Sequence, residues 1–247
     1  MAAIPSGALA GASVSALALA GVVADLSGAL PLDAEVARAV RATCLRVRRV
    51  SAPRAYAAAD IAAIGADLVG AVQAVARAAE PGDAAPALYL AAGAARVAIP
   101  VSASPVLTRA YSFAAALSAA VEVACLGEAF LAEARTGFAD RRAAGEARDR
   151  ITAACDACTD RIAGLLGQEV AAVLAGVARE TIGHLVRLTV SLQPIVRVEA
   201  ARSFPSTALA WSLYGDPTRA DDLVARNRCG TPLFLPPSIE ALAPKSA

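Results

Sequence analysis

The sequence predicts a mainly α protein, an antiparallel bundle of long helices followed by a small C-terminal α+β module. Apolar residues recur at steps of three and four along most of the chain, as they do on the buried faces of α-helices. Runs with the alternation of a strand are confined to Pro194–Val198 and Leu233–Leu235. Turn-forming residues concentrate between Asp216 and Pro237, which separates a compact module from the helices before it.

Seven helices are expected before the module, and prolines and glycines mark most of their ends. The stretch Glu80–Asp83 contains both residue types, and we expect it to end one helix and begin the next. Asp33 is expected to cap a helix, because its carboxylate can accept from free N–H groups of the first turn. The predicted helices are Ala8–Leu26, Asp33–Val50, Arg54–Ala79, Ala84–Val97, Pro105–Arg135, Arg141–Gly167 and Gln168–Gln193.

The residues between Ile99 and Pro105 form the clearest linker of the chain. The helix after it is expected to bury one face, formed by Phe113, Leu117, Ala120, Val121, Cys125 and Phe130. Two of the long helices are expected to pack antiparallel, since short connections place consecutive helices side by side. The predicted regions are an Ala-rich helical region at 1–103, a long-helix bundle at 104–203 and a terminal module with its tail at 204–247.

Composition narrows the choice of partners. A net charge of +1 provides no bulk attraction to nucleic acid or to anionic lipid. Mean hydropathy is +0.54, but weakly apolar alanine, the best helix former, inflates this value. Ser6–Ala24 is the one candidate for a membrane span. It contains glycines and no Lys or Arg precedes it, so we expect a helix buried against its neighbours and no membrane insertion.

Turn chemistry defines the C-terminal module. Asp216 is a good N-cap, and Pro217 follows it at the first helical position, where its missing N–H costs nothing. Asn227 tolerates the left-handed conformation that ends many helices. The apolar run Leu233–Leu235 is bounded by prolines, and we expect it to be an edge strand or a docked extended segment.

The Tyr214-Gly215-Asp216 turn, the helix after it, Asn227 and the closing proline segment resemble a LysM-type module. LysM modules are known to bind peptidoglycan and chitin, and similar modules in phage tails act as adaptors between proteins. The resemblance implies a protein interface formed by Trp211, Tyr214, Gly215, Asp216, Asn227 and Phe234. The alternative to both kinds of binding is a small cap whose aromatic side chains pack together and bind nothing.

The module contains two further distinctive segments, Thr207–Trp211 and Arg219–Arg228, and two more lie upstream, at Phe138–Ile151 and Leu185–Thr189. Together these segments resemble the C-terminal part of the Mu-like phage DNA circulation (DNA circularisation) proteins, which belong to the tail and baseplate region. The resemblance extends from about Phe138 to Leu242. It does not include the usual N-terminal domain of that family, whose role is therefore not carried over.

No catalytic, cofactor or metal site is predicted, and we expect a protein that is not an enzyme. Cys155 and Cys158 form a CxxC within a charged helical stretch that lacks the βαβ pattern of a redox enzyme, and the five cysteines are expected to be reduced thiols. The single histidine, His184, has no nucleophile motif nearby. Asp221 and Asp222 are adjacent, so on a helix their carboxylates point about 100° apart.

Arg46, Arg48 and Arg49 belong to the one basic cluster of the sequence. Contact with nucleic-acid phosphates is one interpretation of such a cluster. No aromatic residues interleave it, as they do in many single-strand binders. A solvated face or a protein interface is therefore the interpretation that we favour.

The sequence and the resemblance together predict a non-enzymatic structural component of a contractile phage tail or baseplate. It would be assembled in the host cytoplasm and become part of the virion, in multiple copies arranged in a ring. Helical faces and the LysM-like module would connect it to tube, hub and wedge proteins. The alternative function is a peptidoglycan-binding LysM-type module on a helical stalk.

Overall fold

A computed structural model of the chain describes residues 6–96 and 103–244. These residues are mainly helical and contain one small two-stranded antiparallel sheet, which confirms the predicted mainly α class. The chain divides into two compact units. The helical unit comprises Met1–Gly137 and Asp149–Gly183, and the C-terminal unit comprises Phe138–Arg148 and His184–Ala247.

The elements follow the chain in a simple order. The helices are α1 Ser6–Ala29, α2 Ala34–Arg46, α3 Ala58–Ala78, α4 Pro81–Ala95, α5 Pro105–Arg135, α6 Arg141–Leu166, α7 Gln168–Ser191, α8 Ser206–Tyr214 and α9 Ala220–Arg226. The strands are β1 Ile195–Glu199 and β2 Ser238–Leu242. A π-helical turn at Val47–Ser51 and 3-10 turns at Ala52–Arg54 and Pro217–Arg219 complete the described helical structure.

The predicted helices are confirmed, and their ends differ from the predicted ones by a few residues. Helix α4 begins at Pro81, three positions before the predicted start, because Glu80 takes the N-cap position and proline is tolerated in the first turn. Asp33 does take the N-cap position of α2, but its side chain makes no cap hydrogen bond, so that part of the prediction is wrong. Val97 and most of the linker before Pro105 lie outside the described residues.

Helix α5 is the central element of the helical unit, where it contacts α1, α3 and α4. Leu117 and Ala119 are both buried although they point about 160° apart on the helix. The prediction of a single buried face is therefore wrong, and two residues assigned to that face, Phe113 and Ala120, are only half-buried. A Cβ added to Gly65 of α3 would lie 3.3 Å from Cδ1 of Leu117, so glycine permits a close approach of α3 to α5.

Two glutamates of α5 are buried, and arginines from other segments neutralise both. Oε1 of Glu122 accepts a hydrogen bond from Nε of Arg96 at 2.7 Å, and both carboxylate oxygens accept from Arg161. Glu133 accepts from two nitrogens of Arg150, at 3.0 and 2.9 Å. Arg96 follows α4, whereas Arg150 and Arg161 belong to α6. These pairs therefore hold three segments of the helical unit together around carboxylates that could not be buried alone.

Three helices among the described residues are long and apolar enough to cross a bilayer, judged by length and composition: Leu9–Ala29, Ala58–Ala78 and Tyr111–Arg135. Only the first overlaps the segment Ser6–Ala24, so the prediction of a single candidate is wrong. The expectation that this first helix packs against neighbours is confirmed, because α1 contacts α2, α3, α4 and α5.

The C-terminal unit has the order strand, helix, helix, strand. Strands β1 and β2 pair antiparallel, with Ile195 opposite Leu242 and Glu199 opposite Ser238. Helices α8 and α9 come between them in the chain. The unit has its own hydrophobic core, formed by Leu209, Ala210, Ala220, Leu223, Leu235, Ile239 and Ala241.

The sequence left two interpretations of the run Leu233–Leu235, an edge strand or a docked extended segment. The structure shows the docked extended segment. Its buried residue Leu235 donates its N–H to the carbonyl of Phe204 at 2.9 Å in an isolated bridge. The strand predicted at Pro194–Val198 is present as β1, shifted by one residue. Its partner β2 was not predicted, because Ser, Glu and Ala dilute its β-branched content.

We expect Glu122→Gln to lower the free energy of unfolding by about 2 kcal/mol, because it weakens the charge-assisted hydrogen bonds that Arg96 and Arg161 donate to this buried side chain. Urea denaturation followed by circular dichroism measures this loss. The control is Glu146→Gln, which removes a glutamate that is 62% exposed and lies 3.8 Å from Arg142. Its loss should stay below about 0.5 kcal/mol. Equal losses for the two variants would contradict the role assigned to Glu122.

Candidate interaction surface of the C-terminal unit

The turn between α8 and α9 is built from local hydrogen bonds. Gly215 has a φ of 68° and ends α8, and its N–H donates to the carbonyl of Trp211 at 2.8 Å. Asp216 accepts from the backbone N–H of Thr218 at 2.9 Å and from its hydroxyl at 2.7 Å, and these bonds lower the pKa of Asp216. The predicted N-cap at Asp216 and the predicted first helical position of Pro217 are confirmed.

Tyr214 connects α8 to β2. Its hydroxyl oxygen accepts the backbone N–H of Leu242 at 3.1 Å. The guanidinium of Arg219 lies 3.8 Å from the centroid of its ring, a cation–π contact. Partial burial raises the pKa of Tyr214 above its ordinary value. Through these contacts the phenol of Tyr214 is part of the internal structure of the unit.

Asn227 connects α9 to the same strand. Its Nδ2 donates to the carbonyls of Leu223 at 2.8 Å and Glu240 at 2.9 Å, and its Oδ1 accepts the N–H of Glu240 at 2.8 Å. The expectation of a left-handed conformation at this position is wrong, because Asn227 has a φ of −91°. The next residue, Arg228, takes the left-handed conformation instead, with a φ of 50°.

Arg226 forms the buried ion pair of the C-terminal unit. Its side chain is 9% exposed and lies 2.7 Å from Asp140 and 3.3 Å from Asp222. Burial would lower the pKa of Arg226, but its bonds to the two carboxylates outweigh burial and raise that pKa. Burial would likewise raise the pKa of Asp140, but the N–H of Ala143 and the guanidinium of Arg226 hold that pKa below its usual value. Sequence reasoning did not find this pair, because 86 residues separate its members.

Of the large apolar side chains that the C-terminal unit exposes, Val186 and Val190 lie on α7 and three lie after β1. Trp211 is 63% exposed and Phe234 is 68% exposed, and both belong to the interface implied by the resemblance. Leu233, which no motif singled out, is 61% exposed. The cap interpretation requires Trp211 and Phe234 to be packed together inside the unit, and this degree of exposure disfavours it. We call Trp211, Leu233 and Phe234 the exposed apolar group.

The basic cluster of the sequence lies in the helical unit. Arg46, at the end of α2, pairs with Asp67 at 3.0 Å. Arg48 and Arg49 lie in the π-helical turn and are exposed. The exposure of two arginines on one turn is compatible with a solvated face and with a protein interface alike.

The remaining candidate residues lie in helices. Cys155 and Cys158 are one turn apart in α6, and burial, with the charges near it, raises the pKa of Cys158 to about 11. His184 lies half-buried in α7. Asp222 pairs with Arg219 at 3.5 Å as well as with Arg226. No group of three or more histidines, cysteines and carboxylates suited to a metal ion occurs among the residues that the structure describes.

Comparison with known proteins provides no assignment: no family model matches this chain, and no curated protein is significantly similar to it. The resemblance to DNA circulation proteins therefore stays a prediction.

We expect Gly215→Ala to lower the free energy of unfolding by about 1 kcal/mol, because a side chain disfavours the left-handed conformation. The same change at Gly145, inside α6 and in the same unit, should raise that free energy by about 0.5 kcal/mol, since alanine is the better helix former. A Cβ would meet no atom within 4 Å at either position. Urea denaturation of both variants tests the prediction, and a change of the same sign in both would contradict it.

We expect Asp140→Asn to lower the free energy of unfolding at neutral pH by about 3 kcal/mol, because it leaves the buried Arg226 without its closest partner. The lowered pKa of Asp140 means that its contribution is complete above the unfolded-state pKa, near 3.9, and is lost as the pH falls through the folded-state pKa. The gap between wild type and variant should therefore narrow below about pH 4.

Thermal unfolding at a series of pH values measures that gap. The control is Asp221→Asn, which removes an exposed carboxylate from the first turn of α9 and should cost only a few tenths of a kcal/mol. A gap between wild type and Asp140→Asn that stays constant down to pH 2 would contradict the role of this ion pair.

Proposed function

We propose that this chain is a non-enzymatic structural component of a contractile phage tail or baseplate, related to the Mu-like DNA circulation proteins. In this proposal it is assembled in the host cytoplasm into the virion, in several copies, without insertion into a membrane. The C-terminal unit is its adaptor, and it binds a tube or hub protein through the exposed apolar group. The carrying observation is the exposure of Trp211 and Phe234 on a unit that has a separate hydrophobic core.

Most of the residues implied by the resemblance make contacts within the C-terminal unit, and this proposal is supported by the few that do not. Tyr214, Gly215, Asp216 and Asn227 are all engaged in turns or in bonds to strand β2. Of the residues implied by the resemblance, only Trp211 and Phe234 remain available for a partner. Exposed aromatic side chains are costly in water and are enriched among the residues that dominate binding energy at protein interfaces.

The mixed structure of the C-terminal unit supports the α+β part of the proposal. Helices α8 and α9 lie in the chain between strands β1 and β2, which pair antiparallel.

The helical unit also presents apolar side chains to solvent. Leu90 is 77% exposed on α4, Tyr56 is 80% exposed before α3, and Val14 is 67% exposed on α1. In the proposed assembly, neighbouring copies or tail proteins cover these residues. Close contact between alanine-rich helices loses little side-chain entropy, because alanine has no rotamers to lose.

The alternative is a module that binds peptidoglycan, since the face of an exposed tryptophan also suits a sugar ring. Both functions use the same exposed aromatic residues, but they differ in the partner that the purified chain retains. The double variant Trp211→Ala/Phe234→Ala and its control therefore test both functions.

We expect the full chain, purified without detergent, to bind a protein encoded by one of the genes that flank its own. The double variant Trp211→Ala/Phe234→Ala should weaken that binding at least tenfold, because two apolar anchors are removed. Pull-down with the co-expressed neighbours, followed by titration of the retained protein, measures the effect. The double variant should unfold within about 1 kcal/mol of wild type, since both side chains are largely exposed.

The matched control is Val190→Ala, which truncates a side chain that is 77% exposed in the same unit and outside the exposed apolar group. It should bind like wild type. Absence of any bound neighbour, or equal binding by the double variant, would contradict the adaptor proposal. Sedimentation with insoluble peptidoglycan that is lost in the double variant would favour the alternative, and extraction of the chain only with detergent would favour a membrane protein.

A further inference from the structure

A pocket of about 440 Å³ in the C-terminal unit is lined by four arginines. Arg142 comes from α6, Arg197 from β1, Arg226 from α9, and Arg228 from the segment after it. Among the described residues that line this pocket, Glu240 is the only one with a carboxylate. Four guanidiniums from separate parts of the chain therefore converge on one cavity, which we call the arginine pocket. Its volume is in the range of small-ligand sites.

Two of these arginines make hydrogen bonds within the unit, but only Arg226 is buried, whereas the side chain of Arg197 is 75% exposed and its pair with Glu199 contributes little. Arg226 is paired with Asp140 and Asp222, as described above. Nε of Arg197 donates to Oε1 of Glu199 at 3.0 Å and to Oγ of Ser238 at 2.7 Å. A guanidinium has five N–H donors, so each keeps donors beyond those bonds. A fixed donor with capacity to spare, such as Arg226, lowers the entropic cost of binding an anion.

The other two arginines, Arg142 and Arg228, can pair with an incoming anion. Arg142 lies 3.2 Å from Glu240, and both side chains are about half exposed, so this pair contributes little and is readily replaced. Arg228 is exposed and holds a left-handed backbone with a φ of 50°, which is unusual for a residue other than glycine. No carboxylate of the described residues lies within ion-pair distance of Arg228.

The charges around the pocket select the kind of anion. Besides Glu240, the carboxylates of Asp140, Glu146, Glu199 and Asp222 pair with the lining arginines. Five carboxylates around four guanidiniums leave a local charge of about −1, which does not favour a polyanion such as a nucleic-acid backbone. A single carboxylate meets less of this repulsion than a polyanion does, and it matches the forked geometry of the guanidinium of Arg228, which has no carboxylate of the described residues within ion-pair distance.

We propose that the arginine pocket binds a single glutamate or aspartate side chain from a segment of a partner protein. The incoming carboxylate pairs with Arg228 and displaces Glu240 from Arg142. This inference rests on the proposed adaptor function for the origin of the segment, and it names the chemistry that the partner presents beside its apolar contacts.

The test uses the full chain and two labelled peptides, rhodamine-Gly-Gly-Glu-Gly-Gly-amide and the same peptide with Gln in place of Glu. We expect fluorescence anisotropy at low salt to show at least tenfold tighter binding of the Glu peptide, and 0.5 M NaCl to abolish the difference. Arg228→Ala and Arg142→Ala should each weaken binding of the Glu peptide at least fivefold. Arg228→Lys should restore part of it, because the charge returns without the fork.

The control is Arg187→Ala, which removes an exposed arginine of α7 in the same unit and outside the pocket lining. It should bind the Glu peptide like wild type. A preference for the Glu peptide below tenfold, or unchanged binding by Arg228→Ala, would overturn the inference. Stronger competition by inorganic phosphate or by a single-stranded oligonucleotide than by unlabelled Glu peptide would also overturn it.

The adaptor proposal can be tested independently of the arginine pocket. Trp211→Ala/Phe234→Ala leaves the arginine pocket intact and should bind the Glu peptide like wild type. A chain that binds the peptide but no neighbouring protein refutes the adaptor proposal and leaves the pocket assigned. A chain that binds a neighbour through Trp211 and Phe234 but not the Glu peptide refutes the pocket alone.

Discussion

The C-terminal unit depends on two consecutive residues at the end of α9. Arg226 forms a buried ion pair with Asp140, and Asn227 makes three hydrogen bonds, two of them to the backbone of Glu240 in β2. A buried charge that loses its partner is strongly unfavourable, so these polar contacts fix the position of α9 more specifically than its short apolar face could. The core beside these contacts consists of small and aliphatic residues with Phe204 and Tyr214 packed against it, whereas Trp211 lies on the surface.

Local chemistry made most helix boundaries predictable. Proline in the first turn, glycine after the last turn and a side-chain cap act within a few residues, and α6, predicted as Arg141–Gly167, ends at Leu166. Strand β2 was not predictable in the same way. Its partner β1 is about forty residues earlier in the chain, and its sequence Ser238–Leu242 has only one β-branched residue. The buried Glu122 was also missed, since the sequence does not show which arginines reach it.

The candidate site was predictable only in part, for a related reason. Turn motifs singled out Gly215 and Asp216, and the structure uses both to join α8 to α9. Such motifs report backbone requirements, so they identify the scaffold and not the surface that it presents. The arginine pocket has no sequence signal at all, because Arg142, Arg197 and Arg228 are far apart in the chain and meet only when β1 pairs with β2 and α9 is held beside them.

In the proposed adaptor, the exposed apolar group and the arginine pocket would contribute to binding in different ways. Apolar anchors such as Trp211 and Phe234 supply affinity, because their burial at an interface removes large apolar areas from water. They specify orientation poorly, since hydrophobic contact has no direction. The guanidiniums of Arg142 and Arg228 act on an anion only where the fold places them, so they supply register and discrimination between partners. A tail component that must join its neighbours in a single arrangement needs both, and in this unit the contacts of Arg226 and Asn227 stabilise the scaffold that presents both.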